Sequence, residues 1–206
     1  MAHSHTQWRF YAFFLLMCAG LTGVAVSQDL FSFFLFWEIM SSWSLYFVIV
    51  HEENAAALRE GFKYFFFNVL GAAFLFLGVV LLVNWSGGAA FSDIRLALPK
   101  LSSAQIALSL SLMAVGFVMK AAQLPFRIDI QMHPATAPTP VSGYISSVLL
   151  KSALFGLAKL FFVLGGGIAL TGAGVWLGKP EIMTLSLWIG GITIVMAAAY
   201  AVFQSD

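Results

Sequence analysis

Apolar residues run through this chain in long unbroken blocks, not in alternating stripes. A helix needs about 20 apolar residues to cross a hydrocarbon core of about 30 Å. Six stretches meet that length, at 8–27, 30–50, 62–84, 104–124, 139–163 and 182–203. Three connections are short and polar: HEENAAALREG (51–61), NWSGGAAFSDIRLALPK (84–100) and TGAGVWLGKPE (171–181). Only a residue or so, at Asp29, separates the first stretch from the second, so a very tight turn is expected there. The remaining connection, PFRIDIQMHPATAPTP (125–140), holds four prolines and cannot be one regular helix. The pattern predicts an all-α integral membrane protein. About six transmembrane helices, one of them broken, form a single domain over residues 1–206.

Composition narrows the class further. The chain is 61% hydrophobic and 9% charged, with a mean hydropathy of +0.93, whereas soluble domains carry about 25% charged residues. Little soluble structure fits into such a sequence. A net charge of +1 offers no basic surface for nucleic acid. The single cysteine, Cys18, forms no internal disulfide, matches no metal-ligand spacing and reads as a small buried side chain. Ala25-Val26-Ser27 loosely resembles a signal-peptide cleavage site, but the apolar run before it exceeds the usual 7–15 residues. The first stretch is therefore read as a retained span. Loop charges fall almost evenly on the two sides, with Arg9, Arg59, Lys63 and Arg127 against Arg95, Lys100 and Lys179, and leave orientation open.

Nearly all of the ten Lys/Arg and nine Asp/Glu fall in loops or at helix ends. Glu38, Lys120 and Lys151 do not. A lysine near the bilayer centre costs roughly 2.5–3.5 kcal/mol on insertion scales, and such groups usually face the bundle interior or a hydrated path. At about 1.5 Å per residue, Glu38 lies about 12 Å into the second stretch and Lys151 about 18 Å into the fifth. Lys120 reaches a similar level if the chain stays in the membrane beyond Pro125. Polar neighbours share these faces: Ser41 and Ser42 after Glu38, Gln123 after Lys120, and Tyr144 and Ser147 before Lys151. Small polar residues also occur at ordinary membrane-helix interfaces, so an ion pair that only fixes helix packing stays open beside the functional reading.

That functional reading is proton transfer. Desolvation disfavours a charged ammonium and a nearby carboxylate restores it. A lysine whose carboxylate partner approaches and withdraws can therefore take up and release a proton near neutral pH. Two such lysines in series repel when both are charged, which drives a proton onward. Pro125 removes a backbone hydrogen bond beside Lys120, and broken helices of this kind occur at transporter ion sites. A plain helix end followed by an external loop is the competing reading. His133 is equally a proton relay or a loop residue. Lys159 is a candidate for handing the proton on or for snorkelling to the interface. No redox or nucleotide cofactor motif is visible: there is no CxxC, no paired helix histidines and no glycine-rich nucleotide loop.

Three segments together, FFLFWEIMSSWSLYFVI, REGFKYFFFNVLGAAFLFLG and KAAQLPFRIDIQMHPATAPTPVSGYISSVLLKSALFG, resemble one family specifically. It is the antiporter-like membrane subunits of respiratory complex I, of membrane-bound nickel–iron hydrogenases and of Mrp-type cation/proton antiporters. The resemblance runs from about Arg9 to Asp206. It implies that Glu38 is the family's glutamate, Lys120 the broken-helix lysine and Lys151 the next lysine of a proton half-channel. It also implies that residues 8–163 form one five-helix repeat and 182–203 the first helix of an incomplete second repeat, with both ends cytoplasmic. Where the family carries a histidine, a tryptophan and a second proline after the break, this chain has Arg127, Asp129 and Gln131.

The resemblance further implies a second half-channel and a long lateral helix, which either a partner chain supplies or a shortened or split member of the family lacks. The leading reading is thus a proton-translocating subunit of a complex-I-type or hydrogenase-type complex in an inner or equivalent energy-transducing membrane. It carries no redox centre and sits among other membrane subunits and lipid. Any redox catalysis belongs to the oxidoreductase complex around it. One alternative is a component of an Mrp-type exchanger without redox chemistry. Another is a non-conducting membrane scaffold.

Overall fold

The computed structural model describes residues 7–52, 54–123, 126, 143–160 and 180–203. Among them there is no strand, and the elements are helices α1 (Gln7–Val26), α2 (Leu30–Glu38), α3 (Ser44–Ile49), α4 (Ala55–Ser86), α5 (Phe91–Ala97), α6 (Ser103–Lys120), α7 (Leu150–Ala158) and α8 (Pro180–Phe203). Four described stretches are long and apolar enough to cross a membrane: Gln7–Val26, Leu30–Ile49, Ala55–Ser86 and Ser103–Lys120.

The turn at Asp29 forms as the sequence predicts. Asp29 caps α2, its side chain accepting a bond from the Ser32 N–H at 2.8 Å. Slight burial pushes its carboxyl up, but bonds from Ser32 and Phe31 outweigh this and hold it below its usual value. The same turn is stitched to the loop after α4: Leu30 N–H donates to Ala89 O at 3.0 Å and Phe91 N–H to Gln28 O at 3.1 Å. The α1–α2 turn and the start of α5 therefore lie at one end of the bundle.

Two connections expected as polar loops fold instead. The third span starts at Ala55, not at residue 62, because Asn54 caps it by accepting from the Ala57 N–H at 2.8 Å. The polar turn that follows is a good helix former, and Lys63 pairs with Glu60 one turn apart at 3.0 Å. At 32 residues, α4 is about 48 Å long, well beyond a hydrocarbon core of about 30 Å. The stretch 84–100 contains α5 and a 3₁₀ turn, Leu98–Lys100. The second span is not one regular helix either. A π-helical turn, Ile39–Trp43, separates α2 from α3, and another, Ile145–Leu149, precedes α7.

The core gathers Met17 of α1, Phe33 and Trp37 of α2, Leu75 and Val79 of α4, Met113 and Phe117 of α6 and Ala153 of α7. Helices α4 and α6 approach each other closely, and the approach rests on glycine. A Cβ at Gly116 would come 2.7 Å from Gly71 O, and one at Gly78 would come 2.7 Å from Ser109 O. Small residues let membrane helices meet backbone to backbone.

Candidate functional site

That α4–α6 contact builds the surroundings of Lys120. Lys120 is the last residue of α6 and is 4% exposed. Its Nζ donates to Asn68 Oδ1 at 2.7 Å and to Tyr64 Oη at 3.2 Å, and lies 5.3 Å from the centre of the Tyr64 ring. Tyr64 and Asn68 stand one turn apart on α4, so both face α6. Asn68 is fixed in turn, its Nδ2 donating to Tyr64 O at 2.8 Å. An ammonium, a phenol and an amide thus meet inside an apolar bundle. The sequence reading missed both α4 partners. The available signal was an i, i+4 polar pair in an otherwise apolar span.

The helix ends here by a specific device. Gln123 N–H donates to Val118 O at 3.1 Å and Ala122 N–H to Met119 O at 3.3 Å, while Ala122 takes a left-handed φ of 56°. This is a Schellman-type end, which normally places glycine at the left-handed position. Left-handed backbone costs a non-glycine residue about 1–2 kcal/mol. Ala122→Gly relieves that strain but restores about 0.4–1 kcal/mol of unfolded-chain entropy. The expected net result is a gain of up to about 1.6 kcal/mol, measured as a higher midpoint of thermal unfolding in detergent. A lower midpoint would show that the alanine methyl makes a packing contact worth more than the strain. Pro125 and His133 lie outside the described residues.

Glu38 ends α2, immediately before the π-helical turn. Ser42 lies beside its carboxylate, yet among the described residues Glu38 Oε1 and Ser42 Oγ are buried without a hydrogen-bond partner. Glu38 and Lys120 attract each other through space, but Lys120 takes its direct bonds from α4. Two nearby serines, one in the turn and one at the start of α3, are spent on backbone. Ser41 Oγ donates to Trp37 O at 2.8 Å, and Ser44 Oγ donates to Ile39 O.

The other two candidate lysines occupy unlike places. Lys151 lies on an exposed side of α7, one residue past the end of the second π-helical turn's successor, Leu150. Lys159, just beyond α7, reaches the end of α1: its Nζ donates to Val24 O and Ser27 O at 3.2 Å and to Ala25 O at 3.4 Å. Among the described residues no group of three or more His, Cys, Asp or Glu is placed to hold a metal.

Fold and buried polar groups define an all-α, multi-pass membrane protein that keeps ionisable side chains within its apolar interior. Residues 27–206 match the transmembrane family described as NADH:quinone oxidoreductase/Mrp antiporter, and the chain belongs to that family. It is 28% identical over 206 residues to a probable K(+)/H(+) antiporter subunit of Rhizobium meliloti (strain 1021), covering 97% of this chain and 38% of that protein. It is 29% identical over 197 residues to hydrogenase-4 component B of Escherichia coli (strain K12), covering 94% of this chain and 27% of that one. A match to the chloroplastic NAD(P)H-quinone oxidoreductase subunit 5 of Cryptomeria japonica has 26% identity and covers 100% of this chain and 27% of that one. The chain therefore spans well under half the length of these relatives.

Two solved structures share the fold. A chain of the Mrp complex from Dietzia sp. DQ12-45-1b superposes with a TM-score of 0.68 at 22% identity, over 78% of this chain and 18% of that one. A chain of the archaeal membrane-bound sulfane sulfur reductase gives 0.67 at 24% identity, over 77% of this chain and 33% of that one.

Proposed function

We propose that this chain provides one half of a proton path in a multi-subunit, antiporter-like membrane complex, with Glu38, Lys120 and Lys151 as its ionisable stations. The observation that carries this reading is the burial of Lys120 against Tyr64 and Asn68. Taking an ammonium out of water costs several kcal/mol, a cost that packing alone would not require. The bonds from α4 hold the ammonium while Glu38 stands within electrostatic reach, so the proton-bearing group has two alternative stabilisers on two different helices. Transfer then requires only that the balance between them change. The relatives named above include an antiporter subunit, a hydrogenase component and a quinone oxidoreductase subunit. They support a complex of this kind without choosing its driving reaction.

The test is the assembled complex, purified with its partner chains in mild detergent and reconstituted into vesicles holding a pH-sensitive dye. Lys151→Ala is expected to stop proton uptake while every subunit still co-purifies. Unchanged uptake per turnover in that variant would remove Lys151 from the path.

A further inference from the structure

Lys159 makes contacts that proton transfer does not call for. The last carbonyls of a helix have no partner within it, and Lys159 Nζ donates to Val24 O, Ala25 O and Ser27 O at the end of α1. Three aromatic rings surround the same ammonium: Phe155 at 5.1 Å, Phe91 at 5.2 Å and Phe33 at 5.4 Å. These rings belong to α7, α5 and α2. A cation over an aromatic face is attracted by the ring quadrupole within about 6 Å, and a positive charge at a helix C-terminus is favoured by the macrodipole. One side chain therefore ties four helices together at the end of the bundle where the α1–α2 turn lies.

The position matters because of what lies above it. Lys151 precedes Lys159 by eight residues, about 12 Å along α7, and Glu38 follows Phe33, the tether's contact on α2, by five, about 7.5 Å. One turn nearer Lys151, Gly156 leaves room for the Phe117 ring of α6, so α7 is seated closely at this level.

We infer that Lys159 is a positioning residue, a fixed cation that pins the axial register of α7 against α1 and α2 and so sets the height of Lys151 relative to Glu38. The tether itself stands on the contacts above; its consequence for transport rests on the proton path proposed above. A tether needs a permanent positive charge with several donors, whereas a proton carrier needs a group that gives its proton up. Arginine separates the two, because its guanidinium carries five donors and stays protonated in proteins.

The experiment uses the full chain in its assembled complex. Cys18→Ser removes the native thiol, and spin labels are placed on cysteines introduced at the exposed positions Val26 and Leu154. Pulsed electron resonance then reads the distance between the α1–α2 turn and α7. Lys159→Met is expected to move or broaden the distance peak and to lower proton uptake by at least roughly tenfold, the equilibrium weight of one hydrogen bond to a charged group. Lys159→Arg is expected to keep both the parent distance and parent uptake. If Lys159→Met does not assemble, Phe155→Leu removes one ring of the cage and is expected to shift the peak less, in the same direction. An unchanged distance in the variants that lack the ammonium or the ring would overturn the tether. So would Lys159→Arg that keeps the distance and loses uptake, since Lys159 would then be a carrier. A parent complex that moves no protons would defeat the proposed function while the distances still decide the tether.

Discussion

Lys120→Met is expected to abolish proton uptake by the reconstituted complex and to lower its thermal midpoint while every subunit still co-purifies. The substitution leaves the Glu38 carboxylate without the opposite charge that attracts it, and removing one partner of a buried charge pair is destabilising. It also strands the Asn68 Oδ1 and Tyr64 Oη groups that now accept from Nζ, at about 1–3 kcal/mol for each orphaned buried polar group. Co-purification of every subunit separates lost transport from lost fold. Asn68→Leu is the complementary case. It keeps the ammonium and removes its shortest bond, 2.7 Å. The expected cost is about 1.5–3 kcal/mol of stability, the range for hydrogen bonds to charged groups, together with impaired uptake. Parental uptake in Lys120→Met would take this lysine off the path, and full stability in Asn68→Leu would show that the amide is not what holds it.

Gly116→Ala is expected to destabilise the bundle by about 1–3 kcal/mol, the usual range for overpacking. The added Cβ would sit 2.7 Å from Gly71 O and 2.9 Å from Leu75 Cβ. The first of these is backbone, which cannot swing aside as a flexible side chain would. Alanine is intrinsically the better helix former by about 1 kcal/mol, so a measured loss would understate the clash. The effect should also travel. Gly116 lies one turn before Lys120 on α6, and the α4 backbone it touches carries Tyr64 and Asn68 two turns and one turn earlier. Forcing the two helices apart should lengthen the bonds to Lys120 and depress uptake together with stability. Thermal unfolding in detergent and uptake in vesicles measure the two consequences, and an unshifted midpoint would mean that α4 and α6 are not held by this contact.

The membrane class and most spans were legible because apolar blocks of this length have few other uses. Asp29 was legible as a turn, since a lone acid between two apolar runs is both a stop and a cap. The start of α4 was not, because hydropathy reports where lipid begins, while Asn54 and the Glu60–Lys63 pair extend the helix beyond that point. Buried charge stood out at Glu38 and Lys120 for the same reason that apolar spans did, as exceptions to a uniform background. Their partners were harder to see. A tyrosine and an asparagine are tolerable in any membrane helix, and only the glycine contact between α4 and α6 shows which way they face. The role of Lys159 was out of reach, because backbone carbonyls leave no mark in a sequence.

The π-helical turn Ile39–Trp43 changes how positions in this span must be counted. It has the effect of a single-residue insertion absorbed without breaking the helix. Beyond it, every side chain is turned by about 100°, one residue's rotation, from where an unbroken helical wheel drawn from Glu38 would put it. Tyr46 and Val48 thus belong to a different phase from Phe33 and Trp37. A labelling site or a compensating charge chosen by stepping in threes and fours across the turn would land on the wrong wall of the bundle. Within α2, or within α3, the same arithmetic holds.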